Sequence, residues 1–147
     1  MRIMAIDYGD AHTGIAISDP TGLLAGFTTV INAYRPDRVT GQIALLAKEH
    51  RVERLVLGHP INMDGTRGPR SEKAQAMRQL LKETTGLPVV LWDERRTTVA
   101  AHDILHQSGK KSKKHRESVD AVAASLILQG YLDFRRRQQQ AGGRREE

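Results

Sequence analysis

The sequence predicts an α/β domain built on a mixed five-stranded sheet, antiparallel at its N-terminal strands and parallel in the βαβ units that follow, flanked by helices. Two short apolar runs, Ile3 to Ile6 and Ile15 to Ile17, are joined by a connection bracketed by Gly9 and Gly14, which is the pattern of a hairpin. Further on, strand-length apolar runs alternate with stretches of helical periodicity, and that alternation implies right-handed crossovers and parallel strands. No internal repeat and no linker divides the 147 residues, a length that suits one domain with a real core. The domain is expected over residues 1–137, followed by a polar, Gly-containing tail, 138–147, expected to be disordered.

The elements follow in order. Asp7 ends the first apolar run, and the glycines of the connection are expected to supply backbone angles that other residues avoid. Asp19-Pro20-Thr21-Gly22 is a turn signal. A third strand, rich in β-branched residues, is expected around Gly26 to Ile31. Pro36 and Asp37 open a helix that carries Val39, Ile43, Leu46 and Ala47 at helical spacing and ends near His50. Arg54 to Gly58 is a strand, and Pro60 to Pro69, with two Pro and Asn62-Met63-Asp64-Gly65, is a loop. A second helix is expected from Arg70 to Thr85, with Ala74, Met77 and Leu81 as its buried stripe and Gly86 and Pro88 as its stop. Leu87 to Trp92 is the next strand, with Trp92 in the core. A third helix, capped by Thr97 or Thr98, is expected to last until Gly109. Lys110 to Arg116 reads as a basic loop and Glu117 to Arg136 as the last helix, while Ser71 and Ser118 look like helix caps.

Composition narrows the function. The net charge of +6 favours a polyanionic partner such as nucleic acid. With no Cys there is no disulfide framework, no thiol nucleophile and no Cys-ligated zinc. Asp7 and Asp10 interrupt the N-terminal apolar run, so no signal peptide is expected, and no apolar run is long enough to span a bilayer. A cytoplasmic protein without a membrane partner is therefore expected.

Chemistry in such a fold belongs at strand ends and in the loops beyond them. A buried hydrocarbon strand ending in a carboxylate needs an explanation, because a lone charge there is costly. Asp7 ends the first strand, Asp93 and Glu94 end the last, and Asp120 falls in the expected first turn of the last helix, where the dipole favours an anion. Helical spacing sets Asp120 on the side of Ala124, Ile127 and Tyr131 and so aims it at the sheet. Carboxylates converging in a basic protein suggest Mg²⁺ or Mn²⁺, which prefer oxygen ligands, and two such ions suit phosphodiester cleavage. The plainer alternative is that each acid caps a turn or pairs with Arg95 or Arg96.

The residues carry a resemblance at this point. Ile6-Asp7-Tyr8-Gly9 with Gly14 to Asp19, Gly58-His59-Pro60 with Asn62 to Pro69, Leu87 to Arg95, and Ser118 to Ala124 with Ile127 to Asp133 resemble, in order and at family-like spacing, the YqgF family, also called RuvX or the pre-16S rRNA nuclease family, related to RuvC-type Holliday junction resolvases. His12-Thr13 departs from the basic residue common there. The resemblance implies an RNase H-like fold, a divalent-metal site and a nuclease, a hydrolase of phosphodiester bonds that trims the 5′ end of pre-16S rRNA in ribosome biogenesis. It carries Asp7, the Asp93–Glu94 pair and Asp120 over as catalytic acids, with Asp7, Glu94 and Asp120 as metal ligands. Spacing leaves open which member of the pair faces the metal, and Glu94 is favoured because RNase H-like sites commonly place a Glu there.

Arg67 and Arg70, Arg95, and the basic stretch Lys110, Lys111, Lys113, Lys114 and Arg116 are the candidate nucleic-acid contacts, against a plain reading as solvated charge. Structured RNA or branched DNA, and a ribosomal subunit, are the expected partners of a monomer or homodimer. A junction-cutting DNA endonuclease and a non-catalytic RNA- or ribosome-binding module are the alternatives. His102 and His106 stand four apart on a helix but lack the Glu and third ligand of a zinc site, and read as surface histidines.

Overall fold

In a computed structural model of the chain, residues 1–22, 25–60, 64–96 and 113–142 are described, the last of these with side chains over 120–140. Five strands, β1 (Arg2–Asp7), β2 (His12–Ser18), β3 (Ala25–Asn32), β4 (Val52–His59) and β5 (Val89–Asp93), form one sheet in the order β3-β2-β1-β4-β5. β1 pairs antiparallel with β2 and β2 antiparallel with β3, while β4 runs parallel to β1 and β5 parallel to β4. The mixed sheet is the one expected.

β1 lies at the centre and is apolar on both faces because both are covered. Met4 and Ile6 join Ile15, Ile17, Leu55 and Leu57 in a core against α1 (Pro36–Glu49) and α2 (Pro69–Thr85). Ile3 and Ala5 join Ala16, Val56 and Trp92 in a second core against α3 (Lys113–Gly142). The alternation along β1 thus decides which helical layer each residue meets.

Helices α1 and α2 each start with Pro, whose missing N–H is no loss in a first turn. Val39, Ile43 and Ala47 bury the inner stripe of α1, and Ala74, Met77 and Leu81 that of α2. Full burial of side chains such as Ile43 or Leu81 is worth about 1.5–3 kcal/mol each. Gly86 closes α2 at φ 71°, its N–H donating to the Lys82 carbonyl at 3.0 Å. At the turn after β2, Asp19 Oδ1 accepts from Gly22 N at 3.0 Å and from Thr21 Oγ1 at 2.6 Å.

Helix α3 corrects several expectations. It begins at Lys113, so Lys113, Lys114 and Arg116 are helical and not part of a loop, and Ser118 lies inside the helix and not at its start. Residues 138–142 continue the helix and are not irregular. The run of Arg and Gln from Arg135 to Gln140 has good intrinsic helix propensity, which extends a nucleated helix without any apolar stripe. Asp120 consequently lies about two turns into α3, beyond the reach of the N-terminal dipole. The helix expected before Gly109, His102, His106, Lys110 and Lys111 lie outside the described residues, as do 143–147. Ala123, Ala124, Ile127, Leu128, Tyr131 and Leu132 form the buried face of α3. Arg54 Nη1 donates to the Tyr131 hydroxyl at 2.8 Å, tying the helix to β4. Arg96 lies 4.9 Å from the centres of the Trp92 and Phe134 rings, stacked over both.

Candidate active site at the carboxyl ends of the central strands

Asp7 ends β1 on the face that carries Ile3 and Ala5, so it points toward α3. It pairs in register with Gly14 of β2. A Cβ on Gly14 would run into the carbonyl oxygen of Asp120 and reach the Ala124 Cβ at 3.4 Å. Glycine at this position lets the α3 backbone rest directly on the hairpin, and that contact brings Asp120 beside Asp7. Gly9 likewise serves close approach, since a Cβ there would strike the His12 carbonyl. Neither glycine has a positive φ, so the backbone freedom expected of them is not what the turn uses.

The third carboxylate arrives from β5. Trp92 faces the α3 core and Asp93 the opposite way, and the 3₁₀ turn Glu94–Arg96 then returns Glu94 to the α3 side. Ile6 pairs with Leu57, which sets Asp7 and Gly58 next to each other at the strand ends. A Cβ on Gly58 would lie 2.6 Å from Glu94 Oε2 and 2.8 Å from Ile127 Cδ1, so the Glu94 carboxylate occupies the space that a side chain at 58 would need.

The electrostatics agree with this convergence. Burial, first, and the charges of Glu94 and Asp120 push the Asp7 carboxyl up to about 7, and Arg70 opposes them. Burial also raises the Glu94 carboxyl, again opposed by Arg70 and aided by Asp93. Three acids, from β1, the 3₁₀ turn after β5, and α3, therefore share one electrostatic neighbourhood, with the Arg70 guanidinium as its counter-charge. An all-oxygen donor set of this kind suits a hard divalent cation, whose charge would relieve the cost of ionising Asp7. Among the described residues no three His, Cys, Asp or Glu side chains already form a closed metal cage.

Asp93 is occupied elsewhere. Arg95 Nη2 donates to its Oδ2 at 2.6 Å and the Arg95 backbone N–H to its Oδ1 at 2.9 Å. These bonds hold its carboxyl below the usual range and pin the turn that carries Glu94. Arg95 is thereby partnered as well.

Arg70, at the start of α2, lines a cleft of about 240 Å³ together with Glu94, Gly58, Tyr8, Asp10 and Lys73. Arg67 lies near His59, whose pKa is lowered first by burial and then by that guanidinium. The side chains of Lys113, Lys114 and Arg116 are not among those described.

Sequence reasoning missed Gly58 and Lys73, as well as a polar pair beneath the cleft. His59 Nε2 lies 2.6 Å from Ser71 Oγ, and both residues are buried. Ser71 thus joins α2 to the end of β4 and does not cap the helix, whose N-cap is Gly68. Gly58 stood at the end of an apolar strand and within the matched Gly58-His59-Pro60, but neither signal gave it a role.

Comparison with known proteins places this chain in a family. The sequence model of RuvX, described as Holliday junction resolvase, matches residues 1–134. A protein of Chloroflexus aurantiacus named “Putative pre-16S rRNA nuclease” is 44% identical over 134 residues, covering 91% of this chain and 88% of that one. A protein of Bacillus subtilis with the same name is 42% identical over 135 residues, covering 90% and 98%. Among solved structures, Thermus thermophilus RuvC in complex with a Holliday junction substrate superposes with a TM-score of 0.56 at 16% identity, over 91% of this chain and 96% of that one. That likeness establishes the RNase H-like fold. The match over residues 1–134 and identities above 40% along nearly the whole chain make it a member of the RuvX family, and with it a nuclease that hydrolyses phosphodiester bonds.

Proposed function

We propose that the protein is a divalent-metal-dependent endonuclease that processes the 5′ end of pre-16S rRNA in the cytoplasm, with Asp7, Glu94 and Asp120 as its catalytic carboxylates and the ligands of Mg²⁺ or Mn²⁺. The observation that carries this reading is the Asp7 carboxyl, buried at a strand end and pushed up to about 7 by burial and by two neighbouring acids. Keeping such a group in place is costly unless a cation uses it. The names of the relatives supply the rRNA substrate.

Bound divalent ions, two in the arrangement such sites favour, would supply an activated water and charge stabilisation at the leaving oxygen. The chain's own residues do the rest. Gly14 and Gly58 let Asp120 and Glu94 approach Asp7. Asp93 and Arg95 hold the turn beneath Glu94. Arg70 balances the acids and offers a cation to the phosphates flanking the cut. The sequence supplies Arg67, Lys110, Lys111, Lys113, Lys114 and Arg116 as further basic candidates for contact with a structured RNA or a ribosomal subunit. Among the described residues no helix is long and apolar enough to cross a membrane.

A second reading, cleavage of branched DNA, is favoured by the description of the family. The test is to map the ends produced from precursor rRNA and from a four-way DNA junction, with and without Mn²⁺, using Asp120→Asn as control. Mn²⁺-dependent cuts at the 5′ side of 16S, absent in the variant, are expected. Cleavage of the junction alone would select the second reading. Equal cleavage by the variant, or binding without any cleavage, would defeat the catalytic assignment and leave a binding module.

A further inference from the structure

Beside the carboxylate site a second cleft of about 410 Å³ opens between the start of α1, at Tyr34 and Pro36, and the α2 face of Met77 and Leu80. Tyr8, Asp10 and Lys73 line both clefts, which makes them one continuous groove. Tyr34 is 80% exposed and Leu80 37%. Apolar side chains exposed singly are ordinary, but here they rim one concavity next to a charged site.

The charges on this stretch are already balanced. Lys73 Nζ donates to Asp10 Oδ1 at 3.1 Å at the junction of the two clefts. Arg35 Nη2 donates to Asp37 Oδ2 at 2.9 Å across Pro36, next to Tyr34 in the chain. The second cleft is therefore neutral, apolar and edged by an aromatic ring, whereas the first holds acids and the Arg70 cation. A ligand that spans both needs a charged group at one end and a flat uncharged ring at the other.

We propose that the Tyr34–Leu80 cleft is a subsite for an unpaired nucleobase adjoining the phosphate at the carboxylates. This rests on the reading of that site as a nuclease centre. The cleft is large enough for a planar heterocycle, and stacking on a tyrosine ring accepts any base. A base in a duplex is already stacked and cannot enter, so the subsite confers a preference for single-stranded or looped substrate beside the cut.

The test uses the full chain in EDTA, where binding is read without cleavage. Fluorescence anisotropy is measured with a labelled single-stranded RNA of about twelve nucleotides and with a duplex of the same sequence. Tyr34→Ala is expected to weaken single-strand binding about tenfold and to leave duplex binding within about twofold. Tyr34→Phe is expected to restore wild-type affinity, because it keeps the ring. The slope of affinity against salt should not change in Tyr34→Ala, because no phosphate contact is removed. Tyr34 is exposed, so thermal melting of both variants should match wild type. Single-strand affinity unchanged in Tyr34→Ala overturns the proposal and leaves the face for another occupant, such as a protein segment. Equal loss on single strand and duplex overturns it too. Failure of Asp7→Asn to stop cleavage would remove the nuclease reading without touching this result, so the two failures are distinguishable.

Discussion

Replacing Asp7 by Asn should make the metal-free protein more stable at alkaline pH, although it removes a group central to function. The Asp7 carboxyl has a pKa near 3.8 in the unfolded chain and about 7 in the folded one. The folded state therefore holds this proton more tightly, and stability falls as pH rises from about 4 to about 7. A tenfold difference in proton affinity is worth about 1.36 kcal/mol, which gives a ceiling of about 4 kcal/mol lost above pH 7. Solvent reaches part of Asp7, so about 2–4 kcal/mol is the working range. The amide in Asp7→Asn carries no charge at any pH, and the variant escapes this loss. Urea unfolding in EDTA at pH 5 and pH 8 reads the difference: the advantage of Asp7→Asn over wild type should grow by about 2 kcal/mol between the two. Glu94 shifts in the same direction and Asp93 in the opposite one, but both are present in either protein. An advantage that is the same at both pH values, or a variant less stable at pH 8, would refute the claim that folding forces Asp7 into a site hostile to its charge.

Three further substitutions probe the packing, at the site and away from it. Gly58→Ala places a methyl against Glu94 Oε2 and Ile127 Cδ1 and should cost about 1–3 kcal/mol while lowering cleavage, whereas Gly41→Ala in α1, with nothing within 4 Å, should gain about 0.5–1 kcal/mol and leave cleavage alone. Denaturant melts and a cleavage assay on the same preparations check both, and equal effects at the two positions would contradict the geometry at Gly58. Thr13 Oγ1 is fully buried and has no hydrogen-bond partner among the described residues, so Thr13→Val should stabilise by about 1 kcal/mol, a rise in Tm of about 2–4 °C. A drop in Tm would mean that the hydroxyl has a partner.

The strands were legible because buried β1 and β4 leave continuous apolar runs, and α1 and α2 because Val39, Ile43 and Ala47, and Ala74, Met77 and Leu81, repeat at helical spacing. Helix α3 was misjudged at both ends for one reason. Lys113 to Arg116 and Gln138 to Gln140 carry no apolar period, only intrinsic helix propensity, which is a weaker signal than periodicity. Within the site, Asp7 was legible as a carboxylate ending an apolar strand. Spacing could not choose between Asp93 and Glu94, because neighbours on a strand face opposite ways and the choice depends on which face of β5 meets Asp7 and on the Arg95 bonds that occupy Asp93. Gly14 and Gly58 were opaque for a related reason: what they make room for, Asp120 and Glu94, comes from distant parts of the chain. The His59–Ser71 pair joins two elements and leaves no mark on the local pattern of either.

A calorimetric titration of the metal-free protein with Mn²⁺ at pH 8 addresses the shared use of the three acids most directly. Wild type should give a saturable heat, and Asp7→Asn, Glu94→Gln and Asp120→Asn should each abolish it or weaken the apparent affinity at least about tenfold, while Asp93→Asn keeps most of it. Indistinguishable isotherms for wild type and the three variants would contradict the account.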